Sequence, residues 1–135
     1  MRIGVFYQIQ IAKPWTTESE TQRYWEMLEQ VEYAEEMGFE SVWFVEHHFR
    51  AEWSHSSAPD VTLGTLSQRT SHMRLGIAVV LPPLHHPLHT AVRLATLDIL
   101  SRGRVELGVG RSGYPTRRSP SAQTWRMPPA LSRKP

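Results

Sequence analysis

Four of the seven histidines stand in two adjacent pairs, and one of these pairs directly follows a glutamate. The stretch EHHF begins at Glu46 after a short apolar run, and the stretch LHHP holds His85 and His86 after another. An imidazole exchanges protons near neutral pH and also ligates transition metals, so both pairs are candidates for acid/base catalysis or metal binding. Neighbouring side chains on an extended chain point to opposite sides, so we do not expect both members of a pair to act on one target.

A metal site is an alternative interpretation of these histidines. One ligand from each pair could reach the mouth of a barrel, and the chain would then be a metal-dependent hydrolase. Adjacent pairs, however, lack the H-x-H or H-x-x-x-H spacing that turns two imidazoles to one side. We therefore predict no metal ligands, and we expect His48 and one of His85 and His86 to pack against the barrel wall and hydrogen-bond a backbone carbonyl.

A glycine-rich segment, GVGRSGY at residues 108–114, indicates a second kind of chemistry. Glycine lets the backbone approach a ligand closely, and the forked guanidinium of Arg111 suits a phosphate. The same letters also fit a tight strand-to-helix turn with a solvated arginine. Because a histidine-bearing strand end is expected at the same mouth, we predict a phosphate-bearing cofactor beside Arg111 and Ser112.

Four short β-type runs, at residues 2–7, 41–46, 75–80 and 104–110, must position these residues. Helical patterns separate them, in about residues 17–38, 59–70 and 87–103.

The first helix carries Thr17 and Glu20 as a capping box and Gly38 as a stop signal, and the third opens with Pro87. All four strands are followed by polar or titratable residues, where parallel α/β folds bind their ligands.

The alternation of strands and helices predicts an α/β fold with a parallel sheet and right-handed crossovers. No G-x-G-x-x-G motif follows the first strand, which favours (β/α)8 TIM-type barrel units over a dinucleotide-binding sheet. A complete barrel needs roughly 250 residues, so 135 residues predict an incomplete barrel of about four β-α units. We assign it to residues 1–114. Residues 115–135, with five prolines, five bases and no acid, are predicted to be a disordered or out-of-frame tail.

Composition excludes several classes of function. The chain has no cysteine, which removes disulfides and thiolate catalysis and favours the cytoplasm. No apolar run approaches the roughly 20 residues of a membrane span, and no signal peptide is recognisable. The isoelectric point of about 9.3 reflects the tail, because residues 1–114 hold ten bases and thirteen acids. We expect no nucleic-acid function, since no RNP-like or zinc-finger pattern accompanies the basic residues.

Three stretches taken together resemble the luciferase-like flavin monooxygenase family, related to bacterial luciferase: RIGVFYQ at the start, GFESVWFVEHHF at 38–49 and RLGIAVVLPPLHHPLHTAVRLATLDILSRGRVELGVGRSGY at 74–114. The resemblance implies a (β/α) barrel with reduced FMN in its mouth, O2 as co-substrate and a small organic substrate. It also implies a flavin reductase that supplies the reduced FMN. The same superfamily includes deazaflavin enzymes, so the choice between FMN and deazaflavin stays open.

By this resemblance, His47 matches the catalytic histidine near the flavin and acts as a general acid/base. Arg111, with Ser112, matches the site of the flavin phosphate. Ala78 and Val79 fall where the family often has a non-prolyl cis peptide beside the flavin ring.

The sequence after Tyr114 departs from the family pattern. Part of the flavin pocket is therefore expected to be missing, and we predict weak or no flavin binding by the chain as written. An incomplete barrel would leave two sheet edges open to pairing between copies, so a homo-oligomer is expected. A non-catalytic fragment that pairs through these edges is the other alternative.

Overall fold

The computed structural model describes residues 1–110. Strands and helices alternate along this part of the chain, in the order β1 (Gly4–Tyr7), α1 (Ser19–Glu36), β2 (Ser41–Phe44), α2 (Pro59–Arg69), β3 (Arg74–Val80), α3 (Pro87–Leu100) and β4 (Val105–Val109). This order confirms the predicted α/β class. The residues after position 110, including the predicted tail at 115–135, lie outside the described residues.

The four strands form one parallel sheet in the order β1-β2-β3-β4. Each strand pairs with the next one along the chain, as in the wall of a barrel. A doubly wound sheet would instead reverse its strand order beside the first strand. The sequential order therefore agrees with an incomplete barrel.

One face of the sheet is covered by the three helices. The core consists of apolar residues that the strands and helices turn toward one another: Met27, Leu28, Val31, Val42, Phe44, Leu63, Leu66, Leu75, Ile77 and Leu97. Full burial of one such side chain contributes about 1.5–3 kcal/mol, so this face fixes the positions of the strands. On the other face, Phe6 pairs in register with Trp43 and is 56% exposed. This second face corresponds to the lumen of a barrel.

The first turn of α1 differs from the predicted capping box. Thr17 and Glu20 do not form it, because the residue at the N-cap position is Glu18 and its side chain makes no capping hydrogen bond. Thr16 and Ser19 take over this role: the Thr16 N–H donates to Ser19 Oγ at 2.9 Å, and the Glu18 N–H donates to Thr16 Oγ1 at 3.3 Å. Two hydroxyl residues three positions apart satisfy this turn without a glutamate.

A partly buried arginine joins the end of α2 to the start of β4. The guanidinium of Arg104 donates to Thr70 Oγ1 at 2.7 Å, to the Ser67 carbonyl at 2.7 Å and to the Met73 carbonyl at 3.0 Å. It also donates from Nε to the carbonyl of Ser101, whose side chain is fully buried. The S-x-G-R part of the sequence that ends at Arg104 is therefore a structural motif.

None of the helices within residues 1–110 is long and apolar enough to cross a bilayer.

We predict that Arg104→Lys lowers the free energy of unfolding by about 2 kcal/mol, because an ammonium cannot reproduce the fork and leaves carbonyls unpaired. Urea denaturation monitored by circular dichroism measures this change. Arg102→Lys, at an exposed position two residues earlier, is the matched control and should be nearly neutral. Equal effects of the two substitutions would contradict the assigned role of Arg104.

Candidate active site at the carboxyl ends of the strands

A single buried carboxylate connects the ends of β2 and β3. Glu46 is 4% exposed, and its Oε1 lies 2.7 Å from His48 Nε2 and 2.5 Å from His85 Nε2. Its Oε2 accepts the backbone N–H of Leu81 at 3.0 Å. Because an ionised carboxylate can only accept, both imidazoles present Nε2–H to it. Within residues 1–110, the donors to Glu46 therefore come from the two segments that follow β2 and β3.

The E-x-H spacing explains the contact of Glu46 with His48, although not the contact with His85. Side chains two residues apart on an extended chain lie on the same side. Glu46 and His48 can therefore contact each other, whereas His47 lies on the other side. The predicted backbone-carbonyl partner of His48 is wrong, since the carboxylate takes its place. In the other pair, His85 contacts Glu46, and His86 Nδ1 accepts the Leu88 N–H as the N-cap of α3.

The predicted catalytic residue, His47, lies directly beside this cluster along the chain. Its backbone N–H donates to the Ser56 carbonyl at 2.9 Å, and its side chain is partly buried. Burial lowers the pKa of His47, the charges of Arg50 and His48 lower it further, and the charge of Glu46 opposes them. The neutral imidazole is thus favoured, which is the form that accepts a proton.

The other predicted site segment lies in β3. The peptide bond between Ala78 and Val79 is cis, as the resemblance implied. The pairing of β3 with β4 is irregular here, with a register shift between Ile77 and Val80.

Gly108 in β4 and Gly110 directly after this strand allow the close approach of β3 at this point. A Cβ added to Gly110 would lie 2.5 Å from Val79 Cγ2, and one added to Gly108 would lie 2.9 Å from the Ile77 carbonyl oxygen. In addition, the Gly110 N–H donates to the Val80 carbonyl at 3.0 Å. The start of GVGRSGY is therefore anchored to the end of β3. Arg111 and Ser112 lie outside the described residues.

A small cavity lies between the sheet and the first turns of α2 and α3. It measures about 60 Å3 and is lined in part by Glu46, His85 and the ion pair of Arg93 with Asp60. Such a volume holds a few water molecules, whereas pockets for drug-sized ligands measure about 300–1,000 Å3. It is too small to hold a flavin ring.

His55, in the loop after β2, has a different role. Its Nδ1 lies 3.0 Å from Glu20 Oε1, and its backbone carbonyl accepts the Tyr24 hydroxyl at 2.7 Å. It therefore attaches the loop after β2 to α1. Glu46 is the residue whose role sequence reasoning missed, although the E-x-H spacing was a signal for it.

Comparison with known proteins relates the chain to one family. The family model described as luciferase-like monooxygenase matches residues 1–133. The chain is 41% identical over 92 residues to the 4-hydroxyprotoasukamycin monooxygenase of Streptomyces nodosus subsp. asukaensis, covering 68% of this chain and 24% of that protein. It is 32% identical over 114 residues to the oxygenase component of the flavin-dependent trigonelline monooxygenase of Acinetobacter baylyi, covering 84% and 31%.

A solved structure has the same fold. Monooxygenase RslO1 from Streptomyces bottropensis superposes with a TM-score of 0.76 at 36% identity, over 85% of this chain and 34% of that one. The chain spans less than a third of the length of the two curated relatives.

The environment of His47 predicts a titration midpoint below the ordinary histidine value of about 6.5. Burial and the charge of Arg50 both disfavour its imidazolium form. Histidine-selective NMR across pH 4.5–8.5, with His47→Asn to assign the signal, measures this midpoint. A midpoint at or above 6.5 would contradict the description of this side chain.

Proposed function

The chain belongs to the luciferase-like monooxygenase family, and we propose that it forms the amino-terminal part of an FMN-dependent monooxygenase site. A bound reduced FMN would supply the two electrons that reduce one atom of O2 to water, while the other oxygen atom enters a small organic substrate. The observation that carries this proposal is the convergence of the β2 and β3 ends on Glu46. That convergence sets His47 and the Ala78–Val79 peptide on neighbouring strand ends of one sheet.

The residues present suit a flavin in three respects. The lumen face is open and carries the aromatic side chain of Phe6, which could contact a planar ring. The β3–β4 contact brings Gly108 and Gly110, at the start of the GVGRSGY segment, close to the cis peptide without intervening side chains. Arg111 and Ser112, as donors in that segment, would bind the phosphate.

We assign His47 the transfer of protons. A neutral, partly buried imidazole can take a proton from a reacting group and return it later in the same cycle. The lowered pKa of His47 keeps it in this form at neutral pH. The Glu46 carboxylate would position the neighbouring loops and would not itself react.

A separate flavin reductase is the proposed partner. The trigonelline relative is named as an oxygenase component, a name that sets it apart from the component that reduces the flavin. We propose the same division of labour for this chain. The family assignment also replaces the metal-dependent hydrolase as an interpretation of the histidine pairs.

The position of the flavin can be tested without knowing the substrate. Titration of the isotope-labelled chain with FMN should shift the amide signals of His47, Ala78 and Val79. The signal of His72, just before β3 at the opposite end of the sheet, is the internal control. Shifts centred on His72 instead of on these three residues would contradict a flavin site at this mouth.

The phosphate contact has its own comparison. Riboflavin lacks the phosphate, so FMN should bind about tenfold more tightly, the effect of one hydrogen bond to a charged group. Arg111→Ala should abolish this difference and leave riboflavin binding unchanged.

The role of His47 is tested by turnover. Once a substrate has been identified, full turnover by His47→Ala in a reductase-coupled assay would remove that residue from the mechanism.

Self-association is a second candidate property of the chain, and exposed apolar residues favour it. Within residues 1–110, β4 is an edge strand whose Leu107 and Val109 are 47% and 62% exposed. The neighbouring α3 exposes Leu88, Val92, Ile99 and Leu100. An edge strand with an adjacent apolar helix face is a surface for pairing with a second copy.

We predict a dimer in size-exclusion chromatography with light scattering, weakened by Leu107→Lys. Val61→Lys is the matched control, since Val61 is 67% exposed but lies on α2, away from the edge. A well-folded monomer at high micromolar concentration would eliminate the pairing proposal and leave the flavin proposal intact.

A further inference from the structure

We propose that Glu46, His48 and His85 form a binding site for one divalent transition-metal ion such as Zn2+. Each residue offers one ligand atom, and the three atoms lie within 4.8 Å of one another. The two imidazoles come from different strand ends, so the sequence distance between them conceals their proximity. This proposal concerns ion binding alone and does not depend on the flavin site.

The donor set selects the class of ion. Two imidazoles and one carboxylate suit zinc, cobalt, nickel or ferrous iron, whereas Mg2+ and Ca2+ prefer oxygen ligands. Three protein ligands leave at least one position for water, as in an open zinc site.

Without a metal ion, the three ligand atoms lie slightly closer together than they would around zinc. Glu46 Oε1 is 2.7 Å from one imidazole nitrogen and 2.5 Å from the other. Zinc–nitrogen and zinc–oxygen distances near 2.1 Å place tetrahedral ligands about 3.3 Å apart. The ligands would therefore separate by less than about 1 Å, and the ion would replace the two shared hydrogens. Each imidazole would carry its proton on Nδ1 instead of Nε2.

The surroundings support such a site. The backbone N–H of Leu81 holds Glu46 Oε2 at 3.0 Å, and an outer hydrogen bond of this kind orients a ligating carboxylate. Glu46 is almost fully buried, whereas the side chains of His48 and His85 are 26% and 22% exposed. The ion would thus reach the carboxylate from the solvent side, between the two rings.

A competing pair of histidines provides the sharpest control. His86 and His89 lie three residues apart at the start of α3, with ring centroids 5.3 Å apart. They could hold an ion loosely through two nitrogens. Binding at this helix surface would need neither Glu46 nor His85, so the two sites can be separated by substitution.

The test is a titration of the full chain with Co2+, followed by its visible absorption, with Zn2+ as competitor. We expect one Co2+ per chain. His85→Asn and Glu46→Gln should each weaken binding by at least about 100-fold, since even outer-shell changes cost 10–100-fold. His89→Asn should leave the affinity unchanged.

Binding that survives His85→Asn and is lost in His89→Asn would overturn the proposal, as would the absence of saturable binding below millimolar Co2+. Circular dichroism of each metal-free variant checks its folding. If His85→Asn or Glu46→Gln fails to fold, the unsubstituted chain decides: Zn2+ must move the ring signals of His48 and His85 in NMR, and an effect on those of His86 and His89 alone would refute the site.

Discussion

The mouth of this sheet depends on one buried carboxylate that must find all its hydrogen-bond donors inside the protein. An unpaired buried carboxylate would be costly, and Glu46 avoids this cost with two imidazoles and one backbone N–H. These donors belong to the segments that follow β2 and β3. Satisfying one side chain thus fixes two loops relative to each other. His47 lies beside this cluster after β2, and its burial lowers its pKa.

The rest of the fold supplies the frame for that interaction. The helices bury one face of the sheet and hold the strands in a sequential parallel order. Arg104 attaches the start of β4 to α2 through carbonyls that no helix bond uses. Gly108 and Gly110 then let β4 lie against the irregular part of β3. Packing at one end of the sheet and close backbone contact at the other together define the place where a ligand can bind.

Much of this was accessible from the sequence, because local patterns determine local structure. Alternating β-type runs and helical periodicity predicted the α/β class and the parallel sheet, and the missing glycine motif correctly favoured barrel units. The capping box at Thr17 was displaced because two hydroxyl residues satisfied the turn first. The partner of His85 was missed for a different reason: Glu46 lies 39 residues away along the chain, and only the folded sheet brings the ring to it. The role of Arg104 could likewise not be predicted, because its carbonyl partners come together only in the folded chain.

The account rests on both imidazoles donating to the same carboxylate oxygen, and the tautomeric states of His48 and His85 test this most directly. Long-range 1H–15N NMR of the metal-free chain at neutral pH distinguishes protonated Nε2 from protonated Nδ1. The account predicts Nε2–H in both rings, with signals that change when Glu46 is replaced by alanine. An Nδ1–H tautomer with a bare Nε2 in either ring would contradict it, because the carboxylate would then lack a donor.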